Sequence, residues 1–190
     1  MRRISMIAVF VAMLLSMAVA QMEHPAPQGG NMGGGEKKAP LSPRKQAELS
    51  FADGKKLMVD YGAPSARGRK IMGELVPFGK VWRTGANAAT GFETDTDVMV
   101  GGTRVPAGKY TLYTLPTAGD WTLIISKQTG QWGTVYNQEQ DLARVPLKKT
   151  ALPAPVEQMA ISLDKAGPDK ATLNLQWENT GLTVEIKEAK

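Results

Sequence analysis

The stretch Ala171-Thr-Leu-Asn-Leu-Gln-Trp177 alternates strictly between apolar and polar side chains, and this pattern decides the fold class. Successive side chains of a β-strand point to opposite faces of a sheet, so the alternation predicts a strand with one face in a core and one in solvent. The same pattern recurs along the chain, in the segments 47–51, 57–61, 121–126, 159–163 and 182–187.

Turn signals separate these segments. Asp53-Gly54 lies between two of them and predicts a β-hairpin, while Gly101-Gly102 and Ala118-Gly119-Asp120 mark further turns. The runs 91–100 and 109–115 are also rich in β-formers, and only 137–144 has room for a helical turn or two. Strands joined by short turns predict an all-β domain, an antiparallel β-sandwich, with a closed or jelly-roll-like β-barrel as the alternative.

The amino terminus has the composition of a signal peptide. Arg2 and Arg3 precede an apolar run, and small residues up to Ala20 follow it, which predicts cleavage after Ala20. The apolar run is shorter than the roughly 20 residues that span a bilayer, so we expect no membrane span after cleavage. Residues 21–45 have the composition of a flexible linker, and 46–190 predict a single domain. We therefore expect a periplasmic or secreted protein, and the absence of cysteine excludes disulfides.

The positive charge is concentrated in one segment. The chain carries a net charge of +5, and two of its cations lie in the predicted signal peptide. The segment 62–87 contains five cations and one acid, a local charge of +4. A glycine-rich basic segment between predicted strands is where a ligand site is expected, because loops on a rigid scaffold often carry function.

Candidate ligand-binding residues come from this segment and from a later glycine-rich stretch. The cations would hold a polar or anionic group, Trp82, Trp132 and Tyr136 would stack on a sugar or an organic cation, and Thr84 and Asn87 complete the polar loop. The alternatives are that the cations face water or pair with acids, and that the tryptophans plug the ends of the sandwich. The cationic candidates are Arg67, Arg69, Lys70, Lys80 and Arg83.

Several kinds of chemistry are excluded by composition. The one histidine, His24, lies in the predicted linker and the chain has no cysteine, so the domain lacks a Ser-His-Asp triad, a Cys-His pair and a multi-histidine metal site. We predict no cofactor and no metal. Glu93, Asp95 and Asp97 occur at every second position and would offer oxygens to a calcium ion, but a solvated strand face is the preferred interpretation. Nucleic acid is not an expected partner, because no binding motif is present.

Longer strings carry a family resemblance. The segment from Tyr61-Gly-Ala-Pro-Ser to Val81-Trp-Arg-Thr-Gly-Ala-Asn87 closely resembles the family catalogued as domain of unknown function 2911, as do Pro106-Ala-Gly-Lys-Tyr110 and Gln131-Trp-Gly133. The resemblance covers roughly Ser42 to Ile186. It implies an exported bacterial protein with a mostly β domain, and it implies no activity, cofactor or ligand.

Three functions are compatible with these residues. A binding module for a polar or anionic small molecule or glycan is the first, held between the basic segment and the Trp132 loop. A carboxylate-dependent glycan or ester hydrolase is the second, although no catalytic residues can be assigned from the sequence. A structural protein of the cell envelope is the third. The sequence does not indicate the oligomeric state.

Overall fold

The computed structural model describes residues 41–189, in which nearly all regular structure is β-strand. The predicted signal peptide and residues 21–40 of the predicted linker lie outside this range. The nine strands are β1 Arg44–Ser50, β2 Lys56–Gly62, β3 Thr90–Thr94, β4 Val98–Val100, β5 Thr103–Val105, β6 Gly108–Pro116, β7 Trp121–Ser126, β8 Asp141–Lys165 and β9 Lys170–Glu188.

The strands form an antiparallel sheet in the order β1-β2-β3-β6-β7-β8-β9-β4-β5. The order has two ends, so the sheet is open rather than a closed barrel, and it folds over into two packed layers. The prediction of an all-β antiparallel sandwich is therefore confirmed. In the part of the chain that the structure describes, no helix is long and apolar enough to cross a membrane.

Strand β8 belongs to both layers. Its first residues, up to Leu147, pair with β7, and from Lys148 onward it pairs with β9. The layers also meet away from β8's own ladders: the Tyr61 hydroxyl donates to the Ile161 carbonyl, and the ideal Cβ position of Gly101 lies 2.2 Å from a methyl carbon of Val145. Each layer thus reaches back to the half of β8 that belongs to the other layer.

The core lies between the layers and is built from the apolar side of each alternating segment. The side chains of Trp121 and Trp177 are its largest fully buried members. This confirms the sequence interpretation of both residues as core. The other fully buried members include Leu57, Val59, Leu112, Ile125, Met159, Leu182 and Ile186.

Some element boundaries differ from the predicted ones. The segments 171–177 and 182–187 belong to one strand, β9, which continues through Glu178 at φ 53° while β8 bulges opposite it. The run 91–100 is divided between β3 and β4, and the helical potential of 137–144 yields only the 3₁₀ turn Gln138–Gln140. Strand β1 begins at Arg44, two residues before the predicted domain boundary at 46.

Candidate functional site

The segment between β2 and β3, residues 63–89, closes one end of the sandwich. Ile71 and Val76 are completely buried beneath it. Trp82 is half-buried, stacks on Trp177 at a ring distance of 5.9 Å and meets Trp121 edge-on at 6.4 Å. Such aromatic contacts stabilise a core beyond the area they bury. The structure therefore gives Trp82 the role of an end plug, one of the two alternatives that the sequence left open.

Residues 83–89 form a loop that leaves the sheet and returns to it. Before the loop, Trp82 exchanges backbone hydrogen bonds of 2.7 and 2.9 Å with Thr114 of β6, and after it Thr90 pairs with Leu112 on the same strand. The buried Thr84 hydroxyl bonds that of Thr114 at 3.2 Å. The Thr90 hydroxyl donates to the Thr84 carbonyl at 2.9 Å. The loop, which we call the 83–89 loop, is thus tied down at both ends.

The 83–89 loop packs closely against two glycines. An added Cβ at Gly62 would lie 2.1 Å from the Ala86 carbonyl oxygen, and one at Gly133 would lie 2.6 Å from Arg83 Cδ. Asn87 has φ 64°, a backbone conformation that asparagine tolerates better than most residues. Packing thus accounts for much of the string Trp-Arg-Thr-Gly-Ala-Asn.

The predicted cations do not converge on one point. Arg67 donates to the Leu41 carbonyl, and Arg69 donates to the carbonyls of Ser65 and Ala66. Lys70 lies 3.4 Å from Glu74, and Lys80 follows the turn at Gly79, whose N–H bonds Pro116. These residues contact other parts of the end segment than the 83–89 loop does.

Arg83, Asn87 and Trp132 are brought together. Arg83 is half-buried, and its Nε donates to the Gly85 carbonyl at 3.3 Å. The Gly133 N–H donates to the Asn87 carbonyl at 3.1 Å, and Ala88 pairs with Trp132. The Trp132 side chain is 56% exposed. An indole on the surface beside a half-buried guanidinium is the part of the predicted site that the fold assembles.

Tyr136 lies further along the same loop and is held by an ionic cluster. Its hydroxyl donates to Asp141 at 2.8 Å, and Arg144 donates to that hydroxyl at 2.7 Å. Its ring packs edge-on against Tyr113 with centroids 5.0 Å apart. Burial, followed by the hydrogen bond to Asp141, raises the pKa of Tyr136 above the usual value. Tyr136 therefore anchors the loop rather than extending freely into solvent.

An open groove of about 350 Å³ runs over the outer face of the first layer. Strands β1, β2, β3 and β6 form its floor, and two loops form its rim: Ala88 and Ala89 from one, Thr129 and Gly130 from the other. Gly91 leaves the floor open, because the nearest atom to an added Cβ there is the Asp60 carbonyl oxygen at 4.0 Å. Because Trp132 follows Gln131 and pairs with Ala88, the exposed indole belongs to this rim.

Two ion pairs line the groove. Arg44 Nε lies 2.8 Å from Asp60 Oδ1, which makes no hydrogen bond of good geometry. Lys109 Nζ lies 3.1 Å from Glu93. The groove wall therefore has two cations and two carboxylates and no net excess of either sign.

Gln131 contributes a buried acceptor without a partner. Its amide nitrogen donates to Thr111 Oγ1, to the Tyr113 hydroxyl at 2.9 Å and to the Gln128 carbonyl, while its Oε1 is buried and bonds nothing in the part of the chain that the structure describes. The Tyr113 proton is committed to the Val135 carbonyl, which leaves the Tyr113 oxygen to accept from Gln131. An acceptor left without a donor carries a free-energy penalty that a ligand hydroxyl would remove.

The other acidic candidates do not form a cation site. Glu93 is in β3, but the strand ends at Thr94, so Asp95 and Asp97 lie in the link to β4 and not on one strand face. Asp95 accepts from the Lys56 N–H, and Asp97 accepts from Arg104. Among residues 41–189, no three His, Cys, Asp or Glu side chains are grouped as metal ligands would be.

Most groove residues were not predicted from the sequence, because they come from strands that are distant along the chain. One signal was available at Gly91, since a glycine inside a strand often marks a place where another group approaches closely. The residues missed are Arg44, Asp60, Gly91, Glu93, Lys109 and Gln131.

Fold and site together define a class: an open antiparallel β-sandwich with a charge-balanced polar groove on one outer face. A family model described as "Protein of unknown function (DUF2911)" matches residues 42–186. The chain belongs to this family, as the resemblance predicted. No curated protein and no solved structure matches the chain significantly.

Proposed function

We propose that the protein is a binding module for a polyhydroxylated ligand, such as a sugar unit of a glycan, held in the groove between the 83–89 loop and Gln131. The observation that carries the proposal is the unpartnered Gln131 Oε1 in a groove whose wall alternates donors and acceptors. Each ligand hydroxyl donates one hydrogen bond and accepts others, so it needs donors and acceptors side by side.

The charge balance of the groove favours a neutral polar ligand. Arg44 faces Asp60 and Lys109 faces Glu93, so no cation there lacks an acid. An anion would have to displace one of these carboxylates. The exposed Trp132 ring at the rim adds a flat apolar surface of the kind that stacks on sugar rings.

Binding is favoured over hydrolysis at this site. A carboxylate-dependent hydrolase needs one acid that can donate a proton to the leaving group. Asp60 and Glu93 both face the groove, but each is engaged by a cation. We therefore assign these carboxylates to ligand positioning and to the sheet surface rather than to bond cleavage.

The test is a thermal-shift screen of the chain against neutral hexoses, hexuronates, oligosaccharides and inorganic phosphate. A ligand selective for the folded state raises Tm, by an amount that corresponds to about 2.7 kcal/mol at one hundred times Kd. We expect a neutral sugar or oligosaccharide to raise Tm. A shift with phosphate alone would contradict the proposed ligand class.

Two variants locate the binding. Gly91→Val places a β-branched side chain on the groove floor, where the backbone leaves room for it. Trp132→Ala removes a ring that lies largely in solvent. Both should keep a Tm near that of the parent and lose the ligand shift, whereas Val135→Ala, at another exposed apolar position, should keep it. A sugar shift that survives Gly91→Val would place the ligand outside the groove.

A further inference from the structure

Residues 67–80 form a basic tip on the end segment that the groove does not use. Ile71 and Val76 anchor the tip in the core, while Leu75 and Phe78 are 43% and 40% exposed. Single large apolar side chains are common on protein surfaces, but two within four residues form a patch.

The tip is a folded turn rather than a loose loop. The N–H groups of Glu74 and Val76 both donate to the Ile71 carbonyl, and the Gly73 N–H donates to the Val76 carbonyl at 2.9 Å. The Phe78 ring lies against Gly73, where an added Cβ would be 3.0 Å from Cε2. The two exposed apolar side chains are therefore presented by a fixed backbone.

Cations surround these apolar side chains. Arg67, Arg69, Lys70 and Lys80 lie within the tip and Glu74 is its acid, so residues 67–80 carry a charge of +3. The ion pair between Lys70 and Glu74 is 3.4 Å long, and its side chains are 67% and 62% exposed. Such an exposed pair contributes little to stability and leaves both charges in solvent.

We propose that this basic tip docks on an anionic lipid bilayer, with Leu75 and Phe78 entering the interface and the cations facing lipid headgroups. Apolar side chains flanked by lysine and arginine are the combination that binds such surfaces, because insertion and electrostatic attraction act together. A soluble polyanion would use the cations alone and would leave Leu75 and Phe78 without a role. The proposal is independent of the groove.

The experiment uses a single reporter on the tip. The chain has no cysteine, so Leu75→Cys in the full chain creates one site for an environment-sensitive fluorophore. We expect a blue shift with vesicles of phosphatidylcholine and phosphatidylglycerol, and none with phosphatidylcholine alone. The matched control is Val135→Cys, a similarly exposed apolar position in the loop beside the groove, which should show no shift with either vesicle.

Unlabelled variants then measure the two contributions by vesicle co-sedimentation. Leu75→Ser with Phe78→Ser, and separately Lys70→Ser with Lys80→Ser, should each weaken binding to the mixed vesicles by at least about tenfold. Lys165→Ser, at an exposed position near the opposite end of the sandwich, should not. The proposal is overturned if the fluorophore on the Leu75→Cys variant shows no shift, or if the apolar double variant binds as tightly as the parent, which would indicate adsorption by charge alone.

Discussion

At the scale of single residues, Gly62 shows how the 83–89 loop is held. Its Cα hydrogen faces the Ala86 carbonyl, and an added Cβ would approach that oxygen to 2.1 Å. The Ala86 N–H donates to the Gly62 carbonyl at 3.2 Å, so the two backbones lie against each other. Only a residue without a side chain permits this approach.

We predict that Gly62→Ala destabilises the domain by about 1–3 kcal/mol, because the clash is with backbone and has no flexible side chain to relieve it. Gly119→Ala is the matched control, since nothing lies within 4 Å of its Cβ position. It should be neutral, or stabilise by about 0.4–1 kcal/mol through the unfolded chain. Urea denaturation of both variants measures the difference, and equal stabilities would contradict the close packing described above.

The residues of the Trp-Arg-Thr-Gly-Ala-Asn string show why a candidate site is hard to predict from sequence. The polar composition of the string indicates a binding loop, yet Thr84 uses its hydroxyl on Thr114, and Trp82 stacks on Trp177. Both partners lie far along the chain, so their use of these groups is set by tertiary contacts. Trp132 is the opposite case, because its glycine neighbours correctly suggested an exposed ring.

At the scale of elements, the link between β3 and β4 is organised by Asp97. Its carboxylate accepts from Arg104 Nη2 at 2.7 Å and from the Ala107 N–H at 2.8 Å, which joins the link to β5 and to the turn after it. The hydrogen bond from Arg104, followed by that from Ala107, lowers the pKa of Asp97 below its usual value of 3.8.

This lowered pKa predicts an acid-dependent stability. A carboxyl group whose pKa is lower in the folded state stabilises that state at pH above 3.8, and this stabilisation is lost as pH falls through the folded-state value. Asp97→Asn should therefore be less stable than the parent at neutral pH, and the difference in Tm should shrink at about pH 3. An NMR titration midpoint for Asp97 at or above 3.8 would contradict the prediction.

Strand patterns were predictable wherever one face of a strand is buried and the other is not. The alternation in 121–126 and 159–163 follows from that asymmetry, and both segments are strands. The outer face of the first layer lacked such a signal, because Tyr113 and Ile124 are buried there beneath the loop that carries Gln131 and Tyr136. A second covered face cannot be told from a core by periodicity alone.

At the scale of the whole molecule, one hydroxyl links the two layers across most of the domain. Tyr61 is buried, donates to the Ile161 carbonyl at 3.3 Å and accepts from the Ile161 N–H at 3.0 Å. The groove is equally non-local, since its floor combines β1, β2, β3 and β6. This distance along the chain is the reason that the sequence predicted the sandwich but not the groove.

We predict that Tyr61→Phe destabilises the domain by about 1–3 kcal/mol, because it leaves a buried N–H and carbonyl of Ile161 without a partner. The residues are 100 positions apart in sequence, so we expect the bond to form late in folding. The substitution should then raise the unfolding rate and leave the refolding rate nearly unchanged. Stopped-flow kinetics in urea distinguishes this from a slower refolding rate, which would indicate early formation.

The double membership of β8 also bears on self-association. An open sheet has two edge strands, and exposed edges are templates on which other chains polymerise. Here the β4–β5 turn lies against Val145 in one half of β8, and Tyr61 of the first hairpin bonds Ile161 in the other half. Strand β5 is three residues long and is followed by Pro106, which has no N–H to offer a ladder. The arrangement gives an open sandwich much of the protection against edge-to-edge aggregation that a barrel obtains by closure.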